Sequence, residues 1–379
     1  MTGREILNQQ ELHLPLVRTK DVDFRVFLKE CFDKYLAVVQ KTTGSDMLSS
    51  AIRSNVNTLR DECNLILNSI DASLCGHPHV AFQNFEKAMS LVNNNNWLPV
   101  LEQNSSATHN ALRETRLYRA RDCGNIPIDK RGIFHVPFED RHKIAAHRFS
   151  LPGVPCLYLC GSLYTCWCEL NWCPLEKMQI AAFWITPKMR FRILDFCHRP
   201  QFVNHYITSN NTEIEIHNMI WPIIACWPII AACAVRVAEA DAPFKVEYVV
   251  SQLLTQWVTS TASGFDGLGF FSTRVEKSVA HHHWLANYTF PAKEITTTGR
   301  CKKLCGLFEM TDPFSWTVLR EIQLRRISEN ACDTFPVHVH PIVEVDYHNS
   351  GFGIVQTKLN QIAIDCRQSG NPDLVRIAP

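Results

Sequence analysis

Residues 147–170 read HRFSLPGVPCLYLCGSLYTCWCEL. In this stretch a proline–glycine turn and a short apolar run separate Arg148, Tyr158 and Glu169, which follow one another at intervals of ten and eleven residues. The apolar run predicts a strand, and Ser162 is a typical N-cap for a helix that carries Glu169. A strand that runs directly into a helix brings a cation, an aromatic ring and a carboxylate to one end of a sheet. Such a trio could hold the phosphates of a dinucleotide, stack on its ring and stabilise positive charge on its ribose.

The composition limits the classes of protein that the chain can belong to. Its 379 residues predict two to three domains, and its formal net charge of +1 gives no bulk attraction to nucleic acid or to an acidic membrane. The N-terminal residues contain no apolar segment of the secretory type, so we expect a cytoplasmic protein. The 16 cysteines should then be reduced and act mostly as small core residues.

We predict no metal site. The pairs Cys166/Cys168 and Cys301/Cys305 stand alone, without a second pair at zinc-ribbon distance. The histidines at 281–283, 338 and 340 are predicted to lie in loops or at strand ends. A zinc-binding interaction module remains a weaker alternative reading of these residues.

The first hundred residues have helical periodicity. Helices are predicted over residues 22–40, from Ser45 onward, and over 78–92. The second carries an apolar stripe at steps of three and four, which buries against another helix or a second subunit; the stripe consists of Leu48, Ile52, Val56, Leu59, Cys63, Ile66 and Ile70. Residues 219–235 (MIWPIIACWPIIAACAV) contain two prolines and are interpreted as a buried helix or strand pair, not as a membrane span.

From about residue 111 short strand patterns alternate with helical ones. Strands are predicted over residues 116–120, 155–159, 181–185, 191–194, 248–250, 267–271 and 288–290. This mixture favours an α+β fold and not a regular βαβ array. We therefore predict a helical N-terminal domain over 1–108 for assembly or regulation, a mixed domain over 109–330, and a small β-containing C-terminal extension over 331–379.

The sequence lacks a Walker A motif, a GxGxxG motif after a strand, a GxSxG elbow and HExxH. It contains instead several polar residues that are far apart in the sequence and stand among apolar residues. The members are Tyr118 and Arg119 in LYRAR, Arg148 in RFSLPG, Tyr158 in CLYLC, Glu169, Gln252 in YVVSQLL, Ser272 in GLGFFSTR and Asn287 in ANYTFPA. Each alone is typical of an ordinary surface or core residue.

Together these motifs, over residues 117–291, resemble the RES domain family, whose named arginine, glutamate and serine match Arg119 or Arg148, Glu169 and Ser272. The resemblance implies a fold similar to ADP-ribosyltransferases around a mixed β core. It also implies an NAD+-degrading toxin that cleaves the nicotinamide–ribose bond and is paired with an antitoxin or another regulatory partner. NAD+ is then the substrate and no cofactor is needed.

The residue roles follow from this resemblance and from the chemistry of each side chain. Glu169, Arg148 and Tyr158 are predicted catalytic residues, with Glu169 stabilising an oxocarbenium-like ribose. Predicted NAD+-binding residues are Arg119, Tyr118, Ser272, Gln252 and Asn287. The acceptor is water or phosphate, which makes the enzyme a glycohydrolase or a phosphorylase. The alternatives are an ADP-ribosyltransferase that modifies a protein and a non-catalytic nucleotide-binding scaffold. The N-terminal helices predict a homo-oligomer.

Overall fold

The computed structural model describes residues 1–103, 116–124, 126–186, 189–260, 263–275, 282–294, 296–323, 336–340 and 343–378. In chain order the strands are β1 (Leu16–Val17), β2 (Val100–Gln103), β3 (Leu117–Asp122), β4 (Cys156–Cys160), β5 (Met178–Ile185), β6 (Phe191–Phe196), β7 (Val235–Arg236), β8 (Gly267–Phe271), β9 (Ala286–Pro291), β10 (Phe308–Met310), β11 (Phe314–Ser315), β12 (Pro336–His340) and β13 (Val343–Asp346). The helices are α1 (Phe24–Gln40), α2 (Met47–Leu74), α3 (Pro78–Asn94), α4 (Lys130–Ile133), α5 (Leu163–Glu169), α6 (Pro200–Val203), α7 (Glu213–Ala225), α8 (Trp227–Cys233), α9 (Val249–Thr259), α10 (Lys302–Leu307), α11 (Trp316–Glu321) and α12 (Gly351–Gln368). The predicted α+β class is confirmed.

The chain forms two compact units, each assembled from separate segments. The first contains residues 1–100, 146–151 and 194–263, and the second contains residues 101–145, 152–193 and 264–379. The three-part division at residues 108 and 330 remains a prediction.

The three predicted N-terminal helices are present in the first unit as α1, α2 and α3. The predicted cap of α2 was wrong by one residue. Its N-cap is Asp46, not Ser45, because the Asp46 carboxylate accepts a hydrogen bond of 2.8 Å from the Ser49 amide. The apolar stripe of α2 is largely buried, and α2 packs on α1 and α3. The stripe is thus covered by helices of its own unit.

The apolar segment 219–235 folds as helices and not as a strand pair. It forms the end of α7, all of α8 and the first residue of β7, with Pro222 inside α7 and Pro228 in the first turn of α8. No single helix in the described residues has the length and hydropathy to cross a membrane. The pair α7 and α8, bent by 53°, passes that test only when the two are taken together.

The strand predicted over residues 248–250 was wrong. Residues Val246–Tyr248 form a 3₁₀ turn that leads into α9. The β-branched Val249 and Val250 suggested a strand, but the buried positions Val250, Leu254 and Trp257 continue at steps of four and three. Burial of that helical stripe outweighs the local strand preference of two valines.

A nine-stranded sheet forms the centre of the second unit, in the order β10-β5-β3-β4-β9-β8-β6-β2, with β11 also paired to β5. Strand β4 runs antiparallel to β9, and their register pairs Tyr158 with Thr289 and Cys160 with Asn287. Strand β8 lies antiparallel on the other side of β9. This register brings the ends of strands that are distant in sequence to the same part of the sheet.

The C-terminal segment contains the expected β structure and a helix that was not predicted. Strands β12 and β13 pair antiparallel. The 18-residue helix α12 follows, with Ser350 as its N-cap. Its residues Phe352 and Leu359 belong to the same buried cluster as Cys166 of α5 and Trp184 of β5. The last helix therefore contributes to the core that supports α5.

Candidate active site

Glu169 is the last residue of the short helix α5, which directly follows β4. The side chain of Ser162 caps the helix by accepting from the Thr165 amide at 3.2 Å, as the sequence predicts. The amide of Leu163 donates to Gln356 of α12 at 3.0 Å, and the apolar face of α5 is buried. These contacts fix the helix at its N-terminal end and so determine where Glu169 lies.

The Glu169 carboxylate is held by two of the predicted residues. Its Oε1 atom accepts a hydrogen bond from Ser272 Oγ at 2.8 Å and another from Asn287 Nδ2 at 2.7 Å. Ser272 directly follows β8 and Asn287 lies in β9. Both donors are buried, whereas the Glu169 side chain is 34% exposed. The donors fix one carboxylate oxygen through charge-assisted hydrogen bonds, and the group keeps access to solvent.

Two residues that the sequence analysis missed, Arg274 and Asn171, complete this arrangement. The Nε atom of Arg274 lies 3.4 Å from Glu169 Oε2, and an Nη1 group of the same guanidinium donates to Asn171 Oδ1. Asn171 has a φ of 55°, a left-handed conformation that asparagine tolerates better than most residues. The sequence pointed to them only by their proximity to predicted site residues, since Asn171 follows Glu169 and Arg274 follows Ser272 by two positions.

Arg119 and Tyr158 are two further predicted site residues that the structure brings together. The Nη1 group of Arg119 in β3 donates to the carbonyl oxygen of Tyr158 in β4 at 2.8 Å. Burial lowers the pKa of Arg119 to about 10, with a further contribution from Arg121, so the guanidinium stays charged near neutral pH. This hydrogen bond joins β3 and β4 through the Tyr158 backbone.

Buried polar atoms accompany these residues along the sheet. Among the described residues, Arg119 Nε, Asn287 Oδ1 and Thr289 Oγ1 are buried and have no hydrogen-bond partner. Asn287 and Thr289 lie two positions apart in β9, hence on the same face of the sheet. Buried polar groups are normally satisfied, so such atoms are candidates for contact with a ligand or ordered water.

Tyr118 occupies a more structural position than its predicted role implies. The residue is 2% exposed and belongs to the buried cluster with α5 and α12. Its hydroxyl donates to Asn360 Oδ1 at 2.7 Å. Its part in NAD+ binding remains a prediction.

Arg148 and Gln252 belong to the first unit. The Nη2 group of Arg148 donates to the Val235 carbonyl at 3.4 Å, and its guanidinium lies 6.0 Å from the centroid of the Tyr248 ring. Gln252 Nε2 donates to the His147 carbonyl at 3.2 Å. The structure thus brings Gln252 next to the residue that precedes Arg148. The catalytic role of Arg148 and the binding role of Gln252 remain predictions.

The cysteines near Glu169 behave as neutral core groups. A hydrogen bond with Cys166, together with burial, raises the pKa of Cys160 well above its usual value. Burial raises the pKa of Cys168 to about 12. The part of the chain that the structure describes contains no group of three or more His, Cys, Asp or Glu placed to hold a metal ion. The side chains of histidines 281–283, 338 and 340 lie outside the described residues.

Comparison with known proteins gives one informative similarity. No family model matches the chain, and no solved structure matches it. The chain is 28% identical over 309 residues to a protein of Bacillus subtilis (strain 168) named "Putative toxin YopC". The similarity spans 80% of this chain and 68% of that protein. The chain is thus similar over most of its length to a protein named as a toxin, which supports a toxin-like protein.

Proposed function

We propose that this chain is an NAD+-consuming, toxin-like enzyme of RES type that cleaves the bond between nicotinamide and ribose. The observation that carries the proposal is the partly exposed carboxylate of Glu169, fixed by hydrogen bonds from Ser272 and Asn287. A carboxylate with buried donors on one oxygen and solvent access is suited to stabilising a cation that forms in a bound substrate.

The proposed reaction needs such a group. The C–N bond breaks, its electron pair leaves with nicotinamide, and the ribose carbon becomes oxocarbenium-like. The negative charge of Glu169 stabilises this carbon and holds the ribose hydroxyls. A water molecule then bonds to the carbon and releases a proton, which gives ADP-ribose. If phosphate takes the place of water, the product is ADP-ribose-1-phosphate. NAD+ is consumed as the substrate, and the proposal requires no cofactor.

The surrounding residues have supporting roles in this proposal. The Tyr158 ring stacks on a ring of the substrate, and Arg119 contributes to binding. The catalytic role of Arg148 and the binding roles of Tyr118 and Gln252 remain predictions. The name of the Bacillus subtilis relative agrees with a toxin, because loss of NAD+ stops the metabolism of a cell. Such an enzyme must be restrained where it is made, so we also propose an antitoxin or other regulatory partner. A homo-oligomer through the N-terminal helices and a cytoplasmic location are separate proposals from the sequence.

The test is to incubate the purified full chain with NAD+, with and without phosphate, and to separate the products by chromatography. We expect free nicotinamide together with ADP-ribose or, when phosphate is the acceptor, ADP-ribose-1-phosphate. Transfer of the ADP-ribosyl group to protein would favour the transferase alternative. Binding of NAD+ measured by calorimetry, without any product, would refute the enzyme and favour the nucleotide-binding scaffold.

A further inference from the structure

Arg274 contacts the oxygen of Glu169 that Ser272 and Asn287 do not. Ser272 and Asn287 donate to Oε1, and the Arg274 guanidinium lies 3.4 Å from Oε2. The Ser272 hydroxyl oxygen also accepts from the Arg274 backbone amide at 3.2 Å, so the same residue borders the carboxylate through its main chain. Arg274, Ser272 and Asn287 thus all contact the Glu169 carboxylate.

The position of this guanidinium has an electrostatic consequence for the proposed reaction. A positive charge beside the carboxylate opposes the development of a second positive charge on a ribose carbon at the same place. Glu169 can act fully only if the guanidinium turns to another acceptor. The side chain of Arg274 is 38% exposed and its ion pair with Glu169 is partly exposed too, so this contact is weak enough to be exchanged.

A phosphate group is the acceptor that fits this exchange best. The planar guanidinium can donate two parallel hydrogen bonds to a phosphate, which is a stronger arrangement than its single contact with Oε2. Asn171 Oδ1 accepts from the Nη1 group of Arg274, which is not the group nearest Glu169, and this hydrogen bond keeps the guanidinium near the site during the exchange. Substrates of the proposed reaction that carry a phosphate on the ribose that is cleaved would bring such an acceptor to the site.

We propose that Arg274 is a specificity-determining residue that leaves Glu169 for the 5′-phosphate of the cleaved ribose, and so selects phosphorylated pyridinium nucleotides over the nucleoside. This inference rests on the proposed function, because it names the substrate class of the same site. Arg274 acts on the substrate's phosphate, and its departure frees Glu169 for the ribose.

Nicotinamide mononucleotide and nicotinamide riboside test this proposal, because they differ by that one phosphate. Nicotinamide release from both is measured for the wild type and for Arg274→Gln, Arg274→Lys and the control Arg320→Gln. Arg320 is a suitable control since it is also ion-paired with a glutamate, Glu321, and is exposed. Arg274→Gln removes the charged hydrogen bonds to the phosphate, which only the nucleotide carries. We therefore expect the ratio of kcat/KM for the nucleotide to kcat/KM for the nucleoside to fall by about 10- to 100-fold. Arg274→Lys should lower it less, and Arg320→Gln should leave it unchanged.

An unchanged ratio in Arg274→Gln, whether both activities fall together or neither falls, would overturn the proposal. A purely structural role predicts the parallel loss, because it affects both substrates alike.

A binding measurement separates this proposal from the proposed function. ADP serves as the probe because it carries phosphates and lacks the ribose that Glu169 would contact. By calorimetry, Arg274→Gln should bind ADP about 10-fold more weakly than the wild type. Glu169→Gln should bind it about two- to fivefold more tightly, since the exposed ion pair no longer competes. If the wild type cleaves neither the mononucleotide nor the riboside, these affinities alone decide the role of Arg274. The proposed function itself fails only if the wild type also releases no nicotinamide from NAD+. Equal affinities in all three proteins would refute that role.

Discussion

Replacing Glu169 by glutamine is the most direct test of the candidate site. The amide keeps the shape of the side chain, and its Oε1 oxygen can still accept from Ser272 and Asn287. The change removes the negative charge and the ion pair with Arg274. The variant therefore separates the electrostatic role of the carboxylate from its place in the hydrogen-bond network.

The expected loss of activity follows from the exposure of the carboxylate. Glu169 is 34% exposed, so an effective dielectric constant of about 20 is appropriate, and two unit charges about 4 Å apart then interact by about 4 kcal/mol. Removing that interaction from the transition state alone lowers kcat by about 10³-fold. The free energy of unfolding should change by less than about 1 kcal/mol, because the ion pair with Arg274 is partly exposed.

The assay is nicotinamide release at saturating NAD+, together with urea unfolding to measure stability. Glu321→Gln is the matched control, since Glu321 is 69% exposed and is also ion-paired with an arginine. We expect it to have wild-type activity. If Glu169→Gln retains more than about a tenth of the wild-type kcat while remaining folded, Glu169 does not stabilise the transition state through its charge, and the proposed mechanism is wrong.

Three further predictions address the site, the first unit and the assembly. Asn287→Ala and Ser272→Ala each remove one hydrogen-bond donor to Glu169, so each should lower kcat/KM for NAD+ by about 10- to 100-fold. Wild-type values in both variants would show that these hydrogen bonds to Glu169 are not needed for activity. Burial raises the pKa of Glu62 well above its usual value, so the neutral form is favoured in the folded state and stability is lost as pH rises above about 4.3. The stability advantage of Glu62→Gln over the wild type should thus grow by up to ~1.4 kcal/mol per pH unit. Urea unfolding at pH 5 and pH 7 measures it, and an advantage that does not change with pH would contradict this prediction. Light scattering of the full chain should give a multiple of 43.4 kDa, and the monomer mass would refute the predicted homo-oligomer.

Local sequence patterns determined the individual elements near the site. The run CLYLC is strand β4, and Ser162 caps the helix that carries Glu169. The N-terminal helices follow from periodicity, because each buries one face. The strand predicted at residues 248–250 was wrong because a short β-branched run does not reveal that it begins a helix with one buried face. Helix α12 was missed in a segment for which only β structure was expected.

The sequence by itself determined the α+β class, since short apolar runs and cap residues act over a few positions. The resemblance of its motifs to the RES family supplied Glu169, Ser272 and Asn287 as candidates. Only the tertiary structure decided that these three side chains meet. Ser272 and Asn287 lie 103 and 118 residues from Glu169, and the antiparallel register of β8 and β9 brings them to one carboxylate oxygen. Arg274, three residues after the end of β8, lies at the other oxygen. Sheet pairing between distant segments is a property of the whole core, and no local pattern records it.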